Sequence, residues 1–192
     1  MHAGVTELHA DSRYNMDTKV ITERFSIGVD VMTVIAETFA EACVDYEVMA
    51  LIDQFEWQMQ NTSGVQSVLA LPGVAKHINA GWNEGYMKWH VLPRNQSVLT
   101  QALAYVPTAS GLLNSDCSVM PIMIFTEDHK AETIDTIIAS INRFIEEHPS
   151  EKVDFKLAAG NVGVMAATNE EIKAAQFPIL LYVYAAIILL CL

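Results

Sequence analysis

Hydrophobic and polar positions divide the chain into alternating stretches and helical stripes. Residues 29–37 read VDVMTVIAE, β-branched and partly alternating, which predicts a strand near the centre of a sheet. Over residues 45–60, Val48, Ile52, Phe55 and Met59 recur on one helical stripe, with Asp45 placed to cap the start and polar residues and glycine at 61–64 to stop it. Residues 65–71 predict a second strand, after which Pro72 and Gly73 predict a turn. The run CSVMPIMIFT at 117–126 predicts a third strand, in which Pro121 points to an edge or a bulge. The plainest helix covers 131–148. Ile134, Ile137, Ile138, Ile141, Phe144 and Ile145 form one face, Glu132, Asp135, Asn142 and Glu146 the other, and Pro149 lies just beyond. Residues 153–159 predict the last strand.

The remaining segments are less regular. Residues 1–15 read as a polar linker. Residues 17–25 predict a short helix with Val20, Ile21 and Phe25 inward and Asn15 or Asp17 as its cap. Residues 74–116 follow no single period and predict an insertion with helical pieces at 74–78 and 96–105. The order is strand, helix, strand, insertion, strand, helix, strand. It predicts an α+β chain of the ferredoxin-like, split β-α-β kind: four antiparallel strands with two helices on one face and the insertion between strands 2 and 3.

A helix over 166–175 is expected to run into the terminal stretch 177–192, which contains no charged residue. That stretch is 16 residues long, against about 20 for a membrane span. It reads either as a buried core helix or as the first part of a spanning helix. The lack of a polar face and of a cap favours the second reading, and Phe177, Tyr182 and Tyr184 suit a membrane interface. No signal-peptide pattern occurs in residues 2–14, so an extracytoplasmic placement requires a translocating segment upstream.

Composition narrows the partners. With 192 residues the chain can bury one good core or two small ones. Asp and Glu number 23 against 11 Lys and Arg, a net charge of -12, which argues against a nucleic-acid partner because phosphate binding needs a basic surface.

Candidate chemistry is sparse. The six histidines show no ligand spacing, and His129, in TEDHK, reads as part of a polar turn. Three cysteines are too few for a zinc cluster, and Cys191 reads as an apolar filler. Neither the GNVG at 160–163 nor Ser110 belongs to a phosphate-loop or nucleophile motif. Asn61 and Asn95 match the short glycosylation pattern. No catalytic residue, metal ligand or cofactor is therefore assigned. The group Trp82, Tyr86, Met87 and Trp89 in the insertion reads either as part of an apolar substrate path or as packing of the insertion onto the sheet.

The block KLAAGNVGVMAATNEEIKAA followed by FPILLYVYAAIILLCL resembles the junction between the first large extracytoplasmic loop and the second membrane helix of resistance-nodulation-division exporters. The nearest branch is that of the large mycobacterial-type transporters and related hydrophobe exporters. ADSRYNMD, GVDVMTVIAE, GVQSVLAL and FTEDHKAETIDTI are similar to the same loop. The resemblance implies a porter-type periplasmic domain over 16–165, with its insertion at 74–116, and a truncated membrane helix within 166–192. It implies a bacterial inner-membrane location and a non-catalytic, substrate-handling role in proton-driven export of hydrophobic or amphiphilic molecules or lipids. The remainder of the transporter, and a homo-oligomer, would be the partners. A second reading is the extracytoplasmic ligand-binding or sensing domain of a membrane receptor. An enzyme is a third reading, for which no nucleophile, metal or acid–base group stands out. In the expected topology the end of the first strand lies beside the start of the third, so Cys43 and Cys117 are expected within the roughly 4.4–6.8 Å of a disulfide. An oxidising periplasm agrees with that bridge. Two separate buried thiols are the alternative.

Overall fold

Two strands of alternating character form the centre of the sheet. In the computed structural model, β1 (Val31–Glu37) and β3 (Val119–Thr126) pair antiparallel, with Val34 opposite Ile122. Residues directly opposite share a face, so Met32, Val34 and Ala36 bury together with Met120, Ile122 and Ile124. The structure describes residues 9, 11–24, 30–128, 130–158, 175–176, 178–184 and 187–188. β2 (Val65–Leu69) pairs with the outer side of β3 and β4 (Asp154–Ala158) with the outer side of β1, giving the antiparallel order β2-β3-β1-β4.

Two helices cover the buried face. α2 (Tyr46–Gln60) follows β1 and contributes Val48, Ile52, Phe55 and Met59. Its start is capped by Asp45, which accepts from the Glu47 and Val48 N–H groups. α5 (Ala131–Glu147) contributes Ile134, Ile137, Ile141 and Phe144. Phe55 meets Phe144 edge-on at 5.1 Å and stacks on Phe155 of β4 at 4.9 Å, locking both helices to the sheet. This is the ferredoxin-like α+β arrangement, with a helical insertion between β2 and β3. The insertion contains α3 (Leu71–Trp82), α4 (Gln96–Leu103) and single 3-10 turns at Met87–Trp89 and Thr108–Ser110.

Three local expectations need correction. Pro72 and Gly73 do not turn the chain but open α3, where a proline lacking its N–H loses nothing. Pro121 sits in a central strand. Thr38 N–H donates to the Ser118 carbonyl and Thr126 N–H to that of Asp30, which makes Ile35 and Pro121 a pair without mutual hydrogen bonds. The proline nitrogen therefore faces away from β1, beyond the point where β2 ends opposite Met123, and no ladder bond is lost. The irregularity of the sheet falls instead between Val65 and Ser67. The first helix, α1 (Arg13–Arg24), starts earlier than its expected cap; Ser12 Oγ accepts from Asn15 N–H, and Val20 and Ile21 are exposed rather than inward.

The membrane reading is also corrected. Among the described residues no helix is long and apolar enough to cross a membrane. A span needs about 20 continuous apolar residues, whereas α5, at 17 the longest helix among the described residues, carries Glu132, Asp135, Arg143 and Glu146. The described residues 175–176, 178–184 and 187–188 have helical backbone and exposed side chains, so these residues are not part of a buried core. The placement in a bacterial inner membrane facing the periplasm, and the transport and membrane terms attached to it, are not supported. The expectations for residues 1–8, 166–174, the GNVG turn, Phe25, Gly28, His129 and Cys191 lie outside the described residues.

Cys43 and Cys117 form a disulfide with Cα atoms 5.5 Å apart. Cys43 lies in a 3-10 turn, Ala42–Val44, between β1 and α2. Neighbouring backbone bonds tie the same two segments together: Thr38 N–H to Ser118 O at 2.8 Å and Glu41 N–H to Asp116 O at 2.7 Å. The bridge spans 74 positions and encloses α2, β2 and the whole insertion. Loss of its loop constraint in the Cys43→Ser, Cys117→Ser double variant is expected to lower the unfolding free energy by about 4 kcal/mol in urea titration. Alkylation of the unreduced, denatured wild type should leave both cysteines unlabelled in mass analysis; labelling at both would rule the bridge out.

Candidate functional site

α2 presents a second stripe besides its core face. Tyr46, Ala50 and Asp53 recur at spacings of four and three, which places them on one side of the helix. Opposite them α3 presents Lys76 and Asn79, three apart. The chain from Trp89 to Asn95 closes the third side, and Val98 of α4 the end. Together they enclose an open groove of 680 Å³.

Hydrogen bonds from asparagine fix its wall. Asn79 is buried, and its Nδ2 donates to the carbonyls of Trp89 at 2.8 Å and Val91 at 3.1 Å. Asn83 Nδ2 donates to the Asn79 carbonyl at 2.8 Å. Asn95 caps α4, its Oδ1 accepting from Ser97 N–H at 2.9 Å and Val98 N–H at 3.3 Å. The loop that lines the groove is thus held largely through its backbone, which leaves the exposed Val91 and Arg94 side chains free of these bonds.

Charged groups gather at one end. Lys76 Nζ lies 2.5 Å from Asp53 Oδ1, an ion pair without the directed geometry of a hydrogen bond. One turn along α2, Glu56 is buried against the start of α3. A Cβ at position 73 would meet Glu56 Oε1, so a larger residue there would have to displace the Glu56 carboxyl. Burial pushes the Glu56 carboxyl up to about 7; Lys76 pulls it down, Asp53 pushes it up, and the Gly73 N–H pulls it down. Glu56 Oε2 has no hydrogen-bond partner among the described residues. His90 and His77 meet edge to face, ring centres 4.5 Å apart, and His77 Nδ1 lies 2.8 Å from the Gly73 carbonyl, to which it donates. Burial, the facing His77 and Lys76 hold His90 below the ordinary histidine value. Among the described residues no group of three or more His, Cys, Asp or Glu is placed to hold a metal ion.

The aromatic residues expected to share a substrate path separate. Only Trp89 lines the groove. Trp82 packs edge-on against Tyr105 at 5.9 Å, while Tyr86 and Met87 are exposed and line none of it. The residues that sequence reasoning passed over are Tyr46, Ala50, Asp53, Lys76, Asn79 and Arg94. The available signal was the second periodic stripe of α2, which the stronger core stripe obscured.

Comparison with known proteins returns no matching family model and no matching curated protein. The resemblance to resistance-nodulation-division exporters is therefore corrected. Its longest block, KLAAGNVGVMAATNEEIKAA, contains no specific catalytic or binding motif, so the likeness was one of pattern and order. Its other half was the apolar terminal run, and no spanning helix supports that half among the described residues. What stands is a ferredoxin-like α+β domain with a groove between α2, α3 and its insertion.

The buried carboxyl gives a signed prediction. Its folded value of about 7 lies above its ordinary 4.5, so keeping Glu56 buried costs nothing below that lower value. Stability is lost progressively as pH rises through the folded value. Glu56→Gln retains an oxygen for the Gly73 N–H and removes the charge. It is expected to exceed wild type in stability at pH 8 by on the order of 2 kcal/mol, with the gap closing towards pH 4.5. Urea unfolding across that range checks this; a gap independent of pH would count against it.

Proposed function

We propose that this domain is a binding module for small hydrophobic or amphiphilic molecules, taken up in the groove between α2, α3 and the insertion. The observation that carries this reading is the composition of the groove. An apolar lining from Tyr46, Ala50, Trp89, Leu92, Pro93 and Val98 surrounds a few convergent polar groups. Small-molecule sites have that mixture: apolar surface supplies most of the affinity, and placed polar groups fix orientation. The volume of 680 Å³ also falls in the range of such sites. The asparagine bonds that hold the Trp89–Asn95 wall support the reading, because a pre-formed wall lowers the ordering cost of binding.

Trp89 supplies the reporter. In a Trp57→Phe, Trp82→Phe variant it is the single remaining tryptophan. Titration with decyl maltoside below its micelle concentration is expected to give a saturable change in Trp89 emission. Ala50→Phe, which adds bulk at a half-buried position on the groove wall, should weaken that binding by about 10-fold. No saturable change with decyl maltoside or with charged amphiphiles of the same chain length would overturn the reading.

A further inference from the structure

Within the small-molecule reading, the groove carries information about the polar end of its ligand. Lys76 already meets Asp53. Arg94 is different. Its guanidinium lies 5.7 Å from the centre of the Tyr46 ring, it is exposed, and it forms no ion pair with any described residue. Beside it, Asn95 has spent its oxygen on the α4 cap, so its amide NH2 is the part left to offer. Arginine and amide donors at one end, with Tyr46, Leu92, Pro93 and Val98 along the groove, make that end acceptor-seeking. An exposed, unmatched guanidinium is unusual company in a chain of net charge -12.

We propose that the groove takes a single-chain amphiphile with a monoanionic carboxylate head, the head on Arg94 and Asn95 and the chain along the apolar lining. The inference rests on the small-molecule reading. Guanidinium and carboxylate match as two parallel N–H···O bonds, which gives orientation as well as energy. The choice of one negative charge follows from the surroundings. Arg94 also borders a second groove containing Glu41 and Asp45. Asp45 is occupied by Lys152 at 3.0 Å, but Glu41 has no cationic partner among the described residues. A head group of charge near -2, such as a phosphate monoester, would meet that repulsion with one cation to offset it. A cationic head would meet Arg94 itself.

Four ligands with the same ten-carbon chain separate the possibilities: decanoate, decyl phosphate, decyltrimethylammonium and the neutral decyl maltoside, each below its micelle concentration, read by calorimetry at pH 7.4 and by Trp89 emission in the Trp57→Phe, Trp82→Phe background. Wild type is expected to bind decanoate tightest, at one per chain. Arg94→Gln should lose about 10-fold or more in decanoate affinity, as a charge-assisted hydrogen-bond pair implies, and should keep its decyl maltoside affinity within about 2-fold, the mark of an intact groove. Arg94→Lys, which keeps the charge and loses the fork, should fall between. Equal decanoate affinity in wild type and Arg94→Gln, with maltoside still bound, overturns the head-group assignment and leaves the small-molecule reading standing. Tighter binding of decyl phosphate overturns the monoanion, and tighter binding of the ammonium overturns the anion. Failure of all four to bind wild type overturns the small-molecule reading and this inference with it.

Discussion

The antiparallel pairing of β1 with β3 is the constraint on which the rest of the molecule depends. It aligns Met32, Val34 and Ala36 with Met120, Ile122 and Ile124 under α2 and α5, and each fully buried aliphatic side chain there contributes about 1.5–3 kcal/mol. The same register brings the end of β1 against the start of β3. That juxtaposition sets Cys43 beside Cys117 and aligns Thr38 and Glu41 with the backbone of Asp116–Ser118's stretch. A slip of one residue would turn every core side chain of a strand outward and separate the cysteines together. The disulfide and the core thus enforce one register by independent means.

That register also determines where the insertion leaves and rejoins the sheet. It departs from β2 at the edge of the sheet and returns into β3 at the disulfide, so α3 is delivered alongside α2. Contact between the two helices is polar at one point. Glu56 enters the start of α3, where Ala70 offers no side-chain cap and Pro72 no N–H. A carboxylate there faces the positive end of the helix dipole. Desolvation works against it, and the raised Glu56 value is the outcome of that opposition. Gly73 belongs to the same contact, since the Glu56 carboxyl lies where a Cβ would stand.

Much of this was legible in the residues. The stripe Val48, Ile52, Phe55 and Met59, the Ile face of α5 and the Asp45 cap all follow from local periodicity, because burial on one face imposes that periodicity directly. The strand order and the Cys43–Cys117 proximity followed from topology. Pro72 and Gly73 are ambiguous in sequence because proline and glycine serve both turns and helix starts. The membrane reading of the apolar terminal run rested on its lack of charge, and among the described residues no helix is long and apolar enough to cross a membrane. The groove itself was only partly legible. Trp89 was visible as an aromatic in an irregular segment, but Arg94 and Asn79 acquire meaning only when α2 and α3 come together.

The groove's irregular wall is held by polar bonds rather than by apolar packing. Between Trp82 and Gln96 the chain has one 3-10 turn and little buried apolar surface, Leu92 and Pro93 being its buried members. Apolar packing alone would leave such a loop free to shift, since few contacts select one arrangement. Asn79 supplies the selection. A buried amide NH2 must find acceptors, and leaving it unpaired costs about 1–3 kcal/mol. The carbonyls of Trp89 and Val91 are what the loop presents when it lies in the groove-forming arrangement. Displacing the loop therefore strands a buried donor in α3, and α3 is in turn anchored by Glu56 and Gly73 against α2. The wall that carries Trp89 and leads into Arg94 is held in place by a chain of polar requirements that ends in the helix layer over the β1–β3 core.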